Sequence, residues 1–135
     1  MALEIKHRER EGIAILDLKG RITVGPEACT LRDAFSGLAA ATNVILNLHD
    51  VEFIDSTGLG ALVVGFTSLR KRGGRLKLEN LNRRNIELLL FTKLTTVFEI
   101  FNDEQDAVNS FFPDRAIRHF DILSFVKDQV EQDGL

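Results

Sequence analysis

The sequence predicts an α/β domain with a partly parallel sheet covered by helices, followed by an added C-terminal helix. Three observations carry this expectation. Short runs rich in β-branched residues and leucine alternate one for one with segments of helical period, the pattern of βαβ crossovers. Glycines and polar turns separate them. Beyond Pro113 the alternation stops and one long amphipathic stretch takes over. The expected division is therefore residues 1–112 as a domain and 113–135 as a helical extension.

Each element has its own signal. "MALEIKHRER" is charged almost from its start, lacks an apolar signal core, and is assigned no element. "GIAILDLKGRI" partly alternates between Gly12 and Gly20 and reads as a strand. In "VGPEACTLRDAFSGLAA", Pro26 suits a first helical turn, Glu27 favours its positive end, and Leu31, Phe35 and Leu38 recur at helical spacing. "NVILNL" is a short buried strand. "GLGALVVGFTSLRKRGG" sets Leu59, Leu62, Val63, Phe66 and Leu69 on one helical face, and Gly73 or Gly74 ends it. "RLKLEN" alternates as a strand, with Asn80 and Asn82 read as turn residues after it. "RRNIELLLFTKL" is a helix with Ile86, Leu89 and Leu90 inward, "VFEIF" a last strand, and "DEQDAVNSF" a short helix. Phe35, Phe66, Phe91 and Phe98 are core candidates. "RAIRHFDILSFVKDQVEQDGL" is the added helix, and Ile117, Phe120, Ile122, Leu123, Phe125, Val126 and Val130 cover more than half its girth. Such a helix docks either on its own domain or on a second subunit or partner, and periodicity does not say which.

The totals narrow the function classes. The 135 residues are the length of one domain, 44% are hydrophobic and 27% charged, with no low-complexity tract. A net charge of -3 argues against general nucleic-acid binding. The one basic excess, Arg70-Lys71-Arg72 with Arg75, flanks a glycine turn and reads as a solvated loop, with an anion-binding role as the minor alternative. No run is long enough to cross a bilayer. Cys29 is the single cysteine, so no intrachain disulfide forms, and it is expected to be a buried apolar residue. A cytoplasmic protein is the default.

"VEFIDSTGLG", Val51 to Gly60, is the junction that asks for a function. Asp55, Ser56 or Thr57 can cap the helix that follows, but capping does not explain Gly58 and Gly60. Two glycines in a first turn cost about 1 kcal/mol each against alanine; in return they offer a bare surface that another molecule can approach. Catalytic alternatives each lack a part. His7, His49 and His119 are scattered and no G-x-S-x-G elbow surrounds the serine. "DSTGLGAL" has no P-loop lysine, and "GLGALV" no third glycine for a dinucleotide. Asp50, Glu52 and Asp55 have no Cys or His at ligand spacing, so no metal or other cofactor is expected. What remains is an exposed hydroxyl that another enzyme modifies, since a phosphate adds about -1.5 to -2 charges at a helix start.

The stretches "LKGRITVGPEACTLRDAF", "NVILNLHDVEFIDSTGLGALV" and "GGRLKLENLNRRNIELLLFTKLTTVFEIF", in this order, resemble the STAS domain, particularly its free-standing bacterial anti-sigma-factor antagonists. The resemblance implies a mixed sheet with helices packed mainly on one face and a protein that acts by binding, without catalytic residues. It implies capture of an anti-sigma factor, itself a serine kinase, by the unphosphorylated form, with release on phosphorylation and reset by a protein phosphatase. Carried over residue by residue, Ser56 is the expected phosphoacceptor and Thr57 the nearer alternative, while Asp55, Gly58, Leu59 and Gly60 form the docking surface. Arg21 and Arg32 are placed near that face and Phe53 beneath it. Thr23 and Asn47 stand where many members carry an acid, which removes negative charge expected near the surface. The other reading is a constitutive STAS scaffold or adaptor, homodimeric through the C-terminal helix, in which Ser56 and Thr57 only cap.

Overall fold

The computed structural model describes residues 3–132, with side chains described as far as position 129. One sheet holds β1 (Glu4–Arg10), β2 (Ile13–Ile22), β3 (Asn43–Ile54), β4 (Arg75–Glu79) and β5 (Ile100–Phe101), in the spatial order β1-β2-β3-β4-β5. β1 is antiparallel to β2, and every other neighbouring pair is parallel. The helices are α1 (Pro26–Ser36), α2 (Ser56–Lys71), α3 (Arg83–Phe91), α4 (Glu104–Asn109) and α5 (Ile122–Gln132), with a 3-10 turn at Leu94–Thr96.

The helices do lie mainly on one face. There, Leu31 and Phe35 of α1, Leu62 and Leu69 of α2, and Ile86 and Leu89 of α3 pack on Leu16, Leu46 and Leu78 of the sheet. The opposite face carries a smaller cluster, Ile13, Ile15, Ile45 and Phe101, covered by Ala107 and Val108 of α4 with Phe111 and Phe112 beside them. Because β2 and β3 are covered on both faces, their apolar residues run nearly unbroken.

Several elements differ from expectation. β1 carries no apolar strand signal because it is an edge strand whose pairing is written in charges: Arg8 bonds Asp17 of β2 and Glu104 of α4. The tight turn to β2 is Glu11-Gly12, both at positive φ (51° and 82°), the geometry of a two-residue hairpin loop. β3 continues past "NVILNL" to Ile54, but only as far as Asn47 does it pair with β4. Beyond that its free edge is served by side chains: Asn85 donates to the Val51 carbonyl at 3.0 Å, and Asn82 to Val51 and Glu52. Asn82 also caps α3, and Asn80 sits at positive φ, so both are the turn residues expected. The final strand is only Ile100–Phe101.

The extension is shorter as a helix than its pattern implied. Residues 115–121 are not helical because the Phe120 amide donates to the Ile100 carbonyl, extending the β5 edge, and the His119 ring lies 5.0 Å from Phe101. α5 starts only after Asp121, whose carboxylate accepts from the Ser124 amide. The extension docks on its own domain: Phe120, before α5, and Phe125 within it pack on the main core, and Gln129 donates to Glu87 of α3. Leu123, by contrast, is 83% exposed. The Val130 side chain lies outside the described residues. Two core expectations fail on helix geometry. Phe91 closes α3 on its outer side and is 83% exposed, and Cys29 lies on the outer face of α1.

Candidate functional site

The junction between β3 and α2 is built around Asp55. Its backbone is extended (φ -92°, ψ -177°), as an N-cap requires, and its carboxylate accepts from the Gly58 amide at 2.7 Å. The second carboxylate oxygen accepts from the Val24 amide at 2.9 Å, in the loop between β2 and α1. The Asp55 amide in turn donates to the Ile22 carbonyl at 3.2 Å. One side chain thereby locks two crossover loops together at the C-terminal ends of adjacent parallel strands. The Gly58 amide, and with it the Val24 amide, holds the Asp55 carboxyl below the usual carboxylate range.

The two glycines have different physical reasons. A Cβ on Gly58 would lie 1.9 Å from the Ile22 carbonyl oxygen, so this residue is a packing necessity and is buried. A Cβ on Gly60 meets nothing within 4 Å. Gly60 is exposed, and only it fits the bare-surface argument. Leu59 is 8% exposed and belongs to the core, contrary to its expected place on the docking surface; helical spacing turns it under the junction.

Ser56 occupies the first position of α2 and is exposed, whereas Thr57 is half-buried. Along α2, Ser56, Gly60 and Val64 follow at four-residue intervals, and Val64 is 54% exposed. Val24, whose amide donates to the Asp55 carboxylate, is 67% exposed. Neither valine was singled out from the sequence; the signal was there only for Val64, as an apolar residue off the core stripe. Thr23 lies at the site, since its carbonyl accepts from Ala28 as α1 begins. Asn47 does not. It sits mid-strand, seven residues before Ile54 and roughly 20 Å away along β3, bonding Asp17 at 2.8 Å. The absence of an acid there leaves the junction's charge untouched. Phe53 is half-buried just before the cap, with Arg84 stacked 4.6 Å over its ring; Arg21, exposed, lies near Glu52 at 3.7 Å, and these residues line a shallow cleft of about 220 Å³. Arg32 is exposed on α1.

Among the described residues no cluster of His, Cys, Asp and Glu could hold a metal ion, and no helix is long and apolar enough to cross a membrane. The junction presents a capped helix start with an exposed hydroxyl at Ser56, a bare glycine at Gly60 and two exposed valines, Val24 and Val64. Comparison with known proteins identifies the family. The STAS domain model matches residues 4–107, and the chain belongs to the STAS domain family. The anti-sigma-B factor antagonist of Bacillus subtilis (strain 168) is 36% identical over 101 residues, covering 74% of this chain and 92% of the relative. The crystal structure of an anti-sigma factor antagonist from Mycobacterium paratuberculosis superposes with a TM-score of 0.69 at 20% identity, covering 81% of this chain and 93% of that one. The Bacillus cell-fate determinant SpoIIAA, solved in its phosphorylated form, has a TM-score of 0.60 at 18% identity, over 80% of this chain and 99% of its own. These similar proteins are regulators by name.

Proposed function

We propose that this chain is an anti-sigma-factor antagonist of the cytoplasm that captures an anti-sigma factor, itself a serine kinase, while unphosphorylated and lets it go once Ser56 is phosphorylated. The observation that carries the reading is the exposed Ser56 hydroxyl at the first position of α2, on a junction that Asp55 holds rigid. The names of the similar proteins support it, as does the phosphorylated form in which one of the same fold has been solved. Ser56 is favoured over Thr57 because it is the more exposed of the two. Val24, Gly60 and Val64 join Asp55 as the docking surface.

The switch works through charge. A phosphate on Ser56 meets the positive end of the α2 dipole, so the fold tolerates it. A partner surface seated on Gly60 and Val64 meets a new dianion beside Asp55, and like-charge juxtaposition across an interface costs several kcal/mol. At about 1.4 kcal/mol per tenfold, release by two to three decades follows. The kinase brings its own nucleotide, the antagonist needs no cofactor, and a phosphatase resets it. The alternative, a constitutive scaffold that dimerises through α5, draws on the exposed Leu123 and Phe91.

The test is phosphosite mapping in native cells, joined to affinity measurements against the co-purifying kinase. Ser56→Ala should bind and resist phosphorylation, Thr57→Ala should behave as the parent, and Ser56→Asp should bind about a hundredfold more weakly. No phosphate under any growth condition, with a partner whose binding ignores Ser56→Asp, would leave the scaffold.

A further inference from the structure

We propose that the cleft at the opposite end of the parallel strands is a binding site for a small phosphate-bearing anion with an apolar body. The cleft lies between the last turn of α2, the glycine turn after it, the start of β4 and the approach to β5, and encloses about 430 Å³. That is within the range of small-molecule sites. Its walls are of two kinds. Phe66, Leu76 and Val97 form an apolar side, with the Phe66 ring fixed edge-on against Phe98 at 5.2 Å. Arg70 and Arg75 form a cationic side.

What matters is which cations are already committed. Arg72 is spent on the chain itself, donating to the Phe35 and Leu38 carbonyls. Lys77 is buried, pairs with Glu99 at 2.7 Å, donates to both oxygens of Ser110 and lies 4.2 Å over the Phe111 ring. Lys77 and Glu99 thus cancel within the cleft. Arg70 and Arg75 are exposed and, among the described residues, make no ion pair or side-chain hydrogen bond. Two uncommitted guanidiniums therefore line one concavity in a chain whose net charge is -3.

Arg70 has a second reason to be where it is, since a cation in the last turn complements the helix dipole. Arg75 has none: it opens a strand, outside the helix. A second cleft of about 380 Å³, lined by Asn43, Gly73, Ser110, Phe111 and Pro113, continues past Arg75, which gives an elongated ligand room on both sides. Guanidinium forks match the oxygens of a phosphate in pairs, so a dianionic phosphate head is favoured over a single carboxylate. The apolar wall then takes the body of the molecule. The site stands at the Asn43 end of β3, while Ser56 follows its Ile54 end, so it does not depend on the switch.

A titration of the full chain by two-dimensional amide NMR tests this, with phenyl phosphate as the probe, inorganic phosphate as the head alone and benzyl alcohol as the body alone. Phenyl phosphate should give saturable shifts at the amides of Gly73, Gly74, Arg75 and Val97. Its binding should be about tenfold tighter than that of either half, and Arg70→Gln or Arg75→Gln should each weaken it about tenfold, as expected for loss of one charge-assisted contact. Ser56→Ala should leave it unchanged. Both arginines are exposed, and each variant's own spectrum reports that it folds. Absent shifts, shifts at the α2 start, indifference to both substitutions, or inorganic phosphate binding as tightly as phenyl phosphate would each overturn the site. So would a response confined to an acidic peptide, which would make the face a protein surface instead.

Discussion

At Gly58 the α2 backbone presses against the Ile22 carbonyl with no room for a methyl group, whereas two residues on, Gly60 faces open space. The same residue type therefore carries opposite predictions. Gly58→Ala should destabilise the fold by roughly 2–3 kcal/mol, as overpacking against backbone does. Gly60→Ala should stabilise it by about 1 kcal/mol through helix propensity, while weakening capture of the partner if the bare surface is where it docks. Urea unfolding of the two variants checks the first pair of signs; equal and opposite effects from the reverse assignment would discard this account of the junction. A second residue speaks through its proton. Glu79 is wholly buried at the end of β4, with Oε2 accepting from Asn80 and Oε1 without a hydrogen-bond partner among the described residues. Burial, and then the neighbouring Glu104 carboxylate, push Glu79 up to about 9, while Arg8 first of all, with Glu79 and Arg10, holds Glu104 down near 2. Folded Glu79 keeps a proton that the unfolded chain loses above about 4.5, so stability falls as pH rises from there towards 9. Glu104 acts oppositely: its contribution is present above about 4.5 and is lost as pH falls towards 2. Glu79→Gln, which fills the same space but cannot ionise, should flatten the decline and melt about 5 °C above the parent at pH 8.5. Parallel melting curves from pH 5 to 8.5 would show that Glu79 carries no such proton.

Among the elements, the C-terminal segment most needs a physical account, because the STAS model ends at residue 107. Phe120 and Phe125 bury against the main core, with ring centroids 5.7 Å apart, and the Phe120 amide satisfies a carbonyl of the two-residue edge strand β5. An edge so short has little pairing of its own, and covering it removes a free edge from the sheet. Deleting residues 114–135 should therefore cost roughly 2–3 kcal/mol, from the apolar area of two half-buried phenylalanines, and lower the melting temperature by several degrees without changing the oligomeric state. Multi-angle light scattering beside calorimetry decides. A truncated chain that melts as before but falls from dimer to monomer would instead make α5 the scaffold's contact.

For the molecule as a whole, the parallel strands set where the two proposed sites lie. Their C-terminal ends carry Asp55, Ser56 and the loop of Val24, and their N-terminal ends carry the Arg70 and Arg75 cleft. Much of this was legible beforehand. Sequence pattern placed all five helices, the last with too early a start, and the buried strands, because core-facing apolar residues repeat with the element's own period whatever they touch. Asp55-Ser56-Thr57-Gly58 was legible because capping and glycine cost are local. The edge strand β1 was not, since its stability comes from Arg8 reaching Asp17 and, distant in sequence, Glu104. Nor was the difference between Gly58 and Gly60, which depends on where the Ile22 carbonyl stands. The exposure of Phe91 and Leu123, the burial of Leu59 and the two uncommitted arginines were hidden for the same reason. The sequence by itself determined the alternation of elements and the capped junction with its adjacent pair of hydroxyls, because each rests on residues a few positions apart. Only the tertiary structure decided which glycine is structural, which hydroxyl faces solvent and where the added helix docks, because those are properties of surfaces brought together from distant parts of the chain.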